Sequence, residues 1–67
     1  MTQKSIVLED LRKNKSRTWR DLQDRVYYTT FSYPAQATLR RVVQELRTEG
    51  YKVIVRNATV TLTNPGR

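Results

Sequence analysis

The chain has neither cysteine nor histidine, and it sets only 6 acidic residues against 13 lysines and arginines in 67 positions. Without cysteine there is no disulfide framework and no thiolate zinc site. Without histidine the commonest general base and metal ligand is missing. Glycine and proline occur twice each, too rarely for a low-complexity tract or an inter-domain linker. Apolar runs stop at three residues, as in Ile6-Val7-Leu8. A signal-peptide core or a membrane span, which takes about 20 residues, has no counterpart here. A domain of this size buries only about 60% of its unfolded surface, so a deep cleft does not fit beside a core.

What is present is positive charge. A net +7 on so short a chain implies attraction to polyanions, nucleic acid before acidic membranes or proteins. The apolar residues are sparse but patterned, which argues for one folded domain over residues 1–63. Asn64-Pro65-Gly66-Arg67 reads as a flexible tail.

Val7, Leu8 and Leu11 share a face, with Lys4 on it, and predict a short helix over Gln3 to Lys13. Arg12 and Lys13 suit its last turn, and Asn14 is the expected left-handed stop. Lys15-Ser16-Arg17 reads as a polar connector. Thr18-Trp19-Arg20-Asp21 fits a capping box. Trp19, Leu22 and Val26 then follow at helical spacing, predicting a second helix from Trp19 to Tyr28 with Trp19 in or near the core. Thr29 to Tyr33 disfavours helix. Pro34 suits a first helical turn, which makes Ser32 or Tyr33 the expected cap. Leu39, Val42, Val43 and Leu46 define the strongest helix, Pro34 to Glu49, stopped by Gly50.

The period then changes from 3.6 to 2. Tyr51 to Arg56 and Thr59 to Thr63 alternate and are rich in β-branched residues. With Asn57-Ala58 as the turn, Val53 faces Leu62, Ile54 faces Thr61, Val55 faces Val60 and Arg56 faces Thr59. That register puts Val53, Val55, Val60 and Leu62 on one face and Lys52, Ile54, Arg56 and the threonines on the other. The expected class is α+β, three helices followed by a two-stranded hairpin lying on them, most simply on the third.

This order, in a basic chain, resembles the winged helix-turn-helix family. The run from Ala37-Thr38-Leu39-Arg40-Arg41-Val42-Val43 to Gly50-Tyr51-Lys52-Val53 is similar to the recognition helix and wing of biotin-repressor-like and DeoR-like bacterial regulators. Their helices follow the type T-[VL]-R-R-x-[IV]-x-x-L-R-x-x-G. Val26 and Leu39 stand further apart here than the flanking core positions of that family. Residues 27–33 must therefore hold a longer turn or an extended second helix.

The resemblance implies that the exposed face of the third helix enters a major groove. Gln36, Ala37, Thr38, Arg40, Arg41 and Gln44 are the candidate base-contacting residues. Arginine can grip guanine, glutamine can pair with adenine, and small residues allow close approach or touch a thymine methyl. Lys52, Arg56 and Asn57 of the wing, and Arg17, Thr18 and Arg20 at the start of the second helix, are candidate backbone contacts. Arg12 to Arg20 is the densest basic run. Among Tyr27, Tyr28, Phe31 and Tyr33, Tyr33 is the candidate contact, and Phe31 is expected to fill the seam between helices. The acids read as caps and i,i+4 partners, such as Asp21 with Arg25. They form no catalytic pair, so neither enzymatic activity nor a cofactor or metal is expected.

The leading expectation is a small sequence-specific DNA-binding regulator of transcription or recombination, on double-stranded DNA. A homodimer or tandem assembly is expected if it acts alone, because half-site contacts come in pairs. By analogy, its size suits a phage, plasmid or mobile-element repressor. The location would be cytoplasmic, or nuclear in a eukaryote, with no membrane partner. The alternatives are a winged-helix module binding a protein partner, such as a host enzyme, through the tyrosine cluster and basic faces, and RNA binding.

Overall fold

The computed structural model describes residues 2–63; the expected tail at 64–67 lies outside them. Three helices pack against a three-stranded antiparallel sheet, in the order α1 (Gln3–Asn14), β1 (Ser16–Thr18), α2 (Trp19–Thr30), α3 (Gln36–Thr48), β2 (Val53–Arg56) and β3 (Thr59–Leu62). The α+β winged-helix layout expected from the sequence is present. The hairpin, however, is part of a larger sheet.

The Thr2 hydroxyl caps α1 by accepting from the Ser5 amide. The buried face of α1 is turned relative to expectation. Ile6, Val7, Asp10 and Leu11 are buried, while Leu8 is only half-buried at the edge of the core. Asn14 is not the left-handed stop. It completes the last turn, and Lys15 takes the positive φ of 65° and donates its amide to Leu11 O at 2.7 Å.

Ser16–Thr18 is a strand, not a connector. Three polar residues carry no alternation that a sequence reading could detect. Their conformation comes from β3, which they pair as Ser16↔Thr61, Arg17↔Val60 and Thr18↔Thr59. The hydroxyls of Ser16 and Thr61 meet at 2.9 Å. β3 is thus the central strand, in the order β1-β3-β2. Its pairing with β2 has the expected register at all four positions, from Val53↔Leu62 to Arg56↔Thr59. Asn57 and Ala58 form a two-residue turn with φ of 51° and 62°, the doubly left-handed form that matches strand twist. Ala58 occupies this costly region without a glycine's freedom. Its carbonyl accepts from the Trp19 amide at 3.1 Å, which ties the turn to the start of α2.

The capping box of α2 is complete: Thr18 Oγ1 accepts from the Asp21 amide, and an Asp21 carboxylate oxygen accepts from the Thr18 amide. The helix does not stop at Tyr28. Thr29 and Thr30 continue it, their hydroxyls donating to the carbonyls of Arg25 and Val26. That back-bonding is how threonine accommodates a helix it otherwise disfavours. Phe31, left-handed at φ 60°, ends it. Both alternatives expected between Val26 and Leu39, a longer turn or an extended second helix, are realised in part: α2 runs on to Thr30, and residues 31–35 connect it to α3.

α3 begins later than expected. Its cap is Ala35, which offers no side-chain hydrogen bond. Neither Ser32 nor Tyr33 caps it, and Pro34 lies buried before it, its carbonyl accepting from the Gln23 side-chain amide at 3.1 Å. Glu49 is the C-cap, and Gly50 follows with φ 103°, a value that suits a residue without Cβ.

One core joins Ile6, Val7 and Leu11 of α1, Trp19, Leu22 and Val26 of α2, the expected stripe of α3, and Val53, Val60 and Leu62 of the sheet. The sheet packs on both α1 and α3 rather than on α3 alone. Val55 departs from expectation. It shares the inner side with Val60 but remains 38% exposed, because at that end of the hairpin an open groove separates β2 from α3. Among the described residues, no helix is long and apolar enough to cross a membrane.

Candidate nucleic-acid interface

Leu39, Val42, Val43 and Leu46 are buried, and this turns Gln36, Ala37, Thr38, Arg40, Arg41 and Gln44 outward, all exposed. The hairpin covers neither Arg41 nor Gln44. A helix is about 10–12 Å across, matching a major groove about 12 Å wide. The first two-thirds of the exposed face of α3 carry no acid. The acids come at its end, where Glu45 and Glu49 share a hollow with Lys4, Arg41, Gln44 and Thr48. Glu49 pairs with Lys4 of α1, and this pairing holds the Lys4 ammonium pKa above its ordinary value.

Several outward groups are held in place. The Arg40 guanidinium lies 5.8 Å from the centre of the Trp19 ring, within the range of a cation–π contact. Arg47, which the sequence reading did not single out, donates through Nε to the Val53 carbonyl and through Nη1 to Gln44 Oε1, both at 3.0 Å. One side chain thus ties α3 to β2 and orients Gln44. Only the proximity of Arg47 to the strand in the fold reveals this; in the sequence it is one more helix-favouring arginine. Trp19, Arg40, Val43, Gln44, Arg47 and Val55 line a groove of about 430 Å³. Its floor is apolar and its rim is cationic. It runs where the start of α2, α3 and β2 meet, and its residues adjoin Arg20 and Arg56 in sequence.

On the hairpin, Lys52 and Arg56 are exposed, and neither makes an ion pair among the described residues. Asn57 is exposed in the turn. Ser16, Thr18, Thr59 and Thr61 extend the hydroxyl-bearing outer face of the sheet across β1.

The start of α2 is less open. Its Trp19 and Asp21 amides are already engaged. The Asp21 carboxylate sits there too, its pKa held below the usual value by the Thr18 amide and hydroxyl. A phosphate approaching this end meets a negative charge. The uncapped start of α3 presents no such charge, since its first turn holds no acid. Arg20 is exposed and unpaired among the described residues. Arg17 lies opposite Val60 and so turns to the helical side of the sheet. Its Nε donates to Asp10 Oδ2 at 2.8 Å.

Asp10 is the main feature that sequence reasoning missed. It is 2% exposed, and beyond its i,i+4 bond with Asn14 it is the acceptor on which arginines from two other elements converge. Besides Arg17 it accepts from the Asn14 side-chain amide at 3.0 Å and lies 3.8 Å from Arg25 Nε. Arg25 therefore faces Asp10, not Asp21, which is taken up by its cap. A usable signal existed. Asp10 sits four residues after Ile6 and three after Val7, on the apolar face of α1.

The aromatic cluster also differs from expectation. Phe31 does not fill the seam; it is 81% exposed, and Tyr28 is 75% exposed. Leu22, Val26, Leu39 and Pro34 are the buried residues along that stretch of chain. Tyr33, exposed as well, donates to Asp24 Oδ1 at 3.3 Å and packs edge-on to Tyr27.

No protein-family model matches the chain, and neither the curated proteins nor the solved structures searched contain a match.

Proposed function

We propose that this protein is a small basic DNA-binding protein of the winged helix-turn-helix kind, a sequence-specific regulator of transcription or recombination. α3 enters the major groove and the hairpin lies along the adjoining backbone or minor-groove edge. The observation that carries the reading is the exposed first part of α3. Gln36, Arg40, Arg41 and Gln44 stand there on a rigid rod without an acid among them, beside a wing bearing Lys52 and Arg56. Donors at fixed spacing suit base edges, and cations around them suit phosphates. The hairpin turn is only two residues long, so the wing rests on the duplex rather than inserting deeply. Affinity from one such module is limited, and a homodimer or tandem copies on DNA would supply the rest. The site of action is then wherever the DNA is, the cytoplasm of a prokaryotic or infected cell.

Titration of duplex DNA at rising salt tests this. The logarithm of the binding constant should fall linearly with the logarithm of salt concentration, with a slope of about −0.9 for each phosphate neutralised. Unchanged duplex binding in an Arg41→Ala, Arg56→Ala double variant would refute the contact surface. A second reading, a protein-binding module, is favoured by the exposed Tyr28 and Phe31. It predicts that a Tyr28→Ser, Phe31→Ser variant loses a partner while duplex affinity stays the same.

A further inference from the structure

Glutamine at a DNA interface is ordinarily free to pair with adenine, accepting from the N6 amino group while donating to N7. Gln44 is not free in this way. Arg47 Nη1 donates to its Oε1 at 3.0 Å, and Arg47 is itself anchored by its Nε bond to the Val53 carbonyl. A guanidinium has donors only. The amide must therefore turn its oxygen toward Arg47 and its NH2 away. The outward orientation of Gln44 is fixed by the chemistry of its neighbour.

Charge acts in the same direction. Arg40 and Arg47 line one groove with Gln44, and Arg41 lines a second hollow with it, so the amide stands among three arginines, the second hollow also holding Glu45 and Glu49. The remaining lone pair on Oε1 lies beside a cation, where the partly positive hydrogens of a base amino group are disfavoured. The acceptor-rich edge of guanine, O6 with N7, is favoured.

We infer that the Arg47–Gln44 pair makes Gln44 a donor-only reader, so that α3 selects guanine rather than adenine at the base pair Gln44 reaches. Arg47 is then a positioning residue for specificity. It acts through Gln44 and through the strand that holds it. The inference rests on the proposal that α3 enters the major groove.

Selection of binding duplexes from a random library, with the intact chain and two variants, tests it. The wild-type protein should prefer guanine at a position whose preference vanishes in Gln44→Ala. Replacing that guanine by adenine should weaken wild-type binding about tenfold. In Arg47→Met the amide oxygen is released, and the preference at that position should move toward adenine. Thermal melting of each variant identifies any loss of binding that comes from unfolding. Gln44 is exposed, so Gln44→Ala should melt like the wild type. Adenine selected by the wild type at the Gln44-dependent position would overturn the inference while leaving DNA binding intact. So would a guanine preference that Gln44→Ala does not alter. Absence of duplex binding at low salt would overturn this inference together with the functional proposal beneath it.

Discussion

The two basic regions of the molecule look alike in sequence and differ in the structure. The stretch from α1 through the start of α2 is the richer in cations, yet several of these are occupied. Arg17 donates to the buried Asp10, with Arg25 on its other side. Arg12 donates to the Tyr51 hydroxyl. On α3 and the hairpin the cations are fewer, but Arg41, Lys52 and Arg56 have no ion-pair partner among the described residues, and Arg40 rests on an aromatic face. Charge density along the chain is therefore a poor guide to charge available to a ligand. A single buried carboxylate takes Arg17 out of the basic run and into the fold's own pairing.

The sharpest way to break this contrast is at Asp10. Asp10→Ala should lower folding stability by about 2 kcal/mol, because it removes the charge-assisted hydrogen bonds from Arg17 and Asn14. Urea unfolding measures it; a loss below about 1 kcal/mol would mean that solvent, not Asp10, satisfies those donors. Of similar size is a paired comparison. Arg41→Ala should cost about 2 kcal/mol in duplex affinity if it reads a base, or reduce the salt slope by about one if it meets a phosphate. Arg17→Ala should instead lower stability and leave the salt slope unchanged. Equal effects on binding would erase the distinction between the regions.

A smaller effect is expected at the α2 cap. Thr18→Ala should cost about 1 kcal/mol of stability by removing the capping hydroxyl, read as a lower urea midpoint. The smallest effect is on pH. The folded-state pKa of Asp21 is depressed below 3.8, so its contribution is present above that value and is lost as pH falls through the folded pKa. Lys4 works in the opposite sense. Its folded-state pKa is raised above 10.5, so its contribution is complete below that value and is lost as pH rises through the folded one. Both groups reach solvent, and both effects should be modest. Asp21→Asn should flatten the acid limb of the stability profile, and Lys4→Met the alkaline limb.

Much of the architecture was legible because it rests on local periodicity. The stripe of α3 repeats every three to four residues, and the hairpin register follows from two alternating runs joined by Asn57-Ala58. What escaped was set by distant partners. β1 is a strand only because β3 lies beside it. Asp10 lies on the buried face of α1, and the arginines that answer its charge, Arg17 and Arg25, reach it from β1 and α2. Phe31 was expected inside from its chemistry, yet it stands at the left-handed residue that ends α2 and remains outside. For the candidate interface, the outward residues of α3 were readable from the apolar stripe opposite them. The grip of Arg47 on Gln44 depended on where β2 would come to lie.

The bond from the Trp19 amide to the Ala58 carbonyl has a mechanical consequence. The tip of the hairpin is stapled to the helix whose tryptophan supports Arg40, and Arg47 ties α3 to β2, so the elements around the groove are linked to one another by hydrogen bonds and a ring contact. A duplex that docks there meets a fixed template, and the bending needed for a close fit falls on the nucleic acid. Sequences that flex easily at the edges of the site should then be bound more tightly than stiff ones with the same contacted bases.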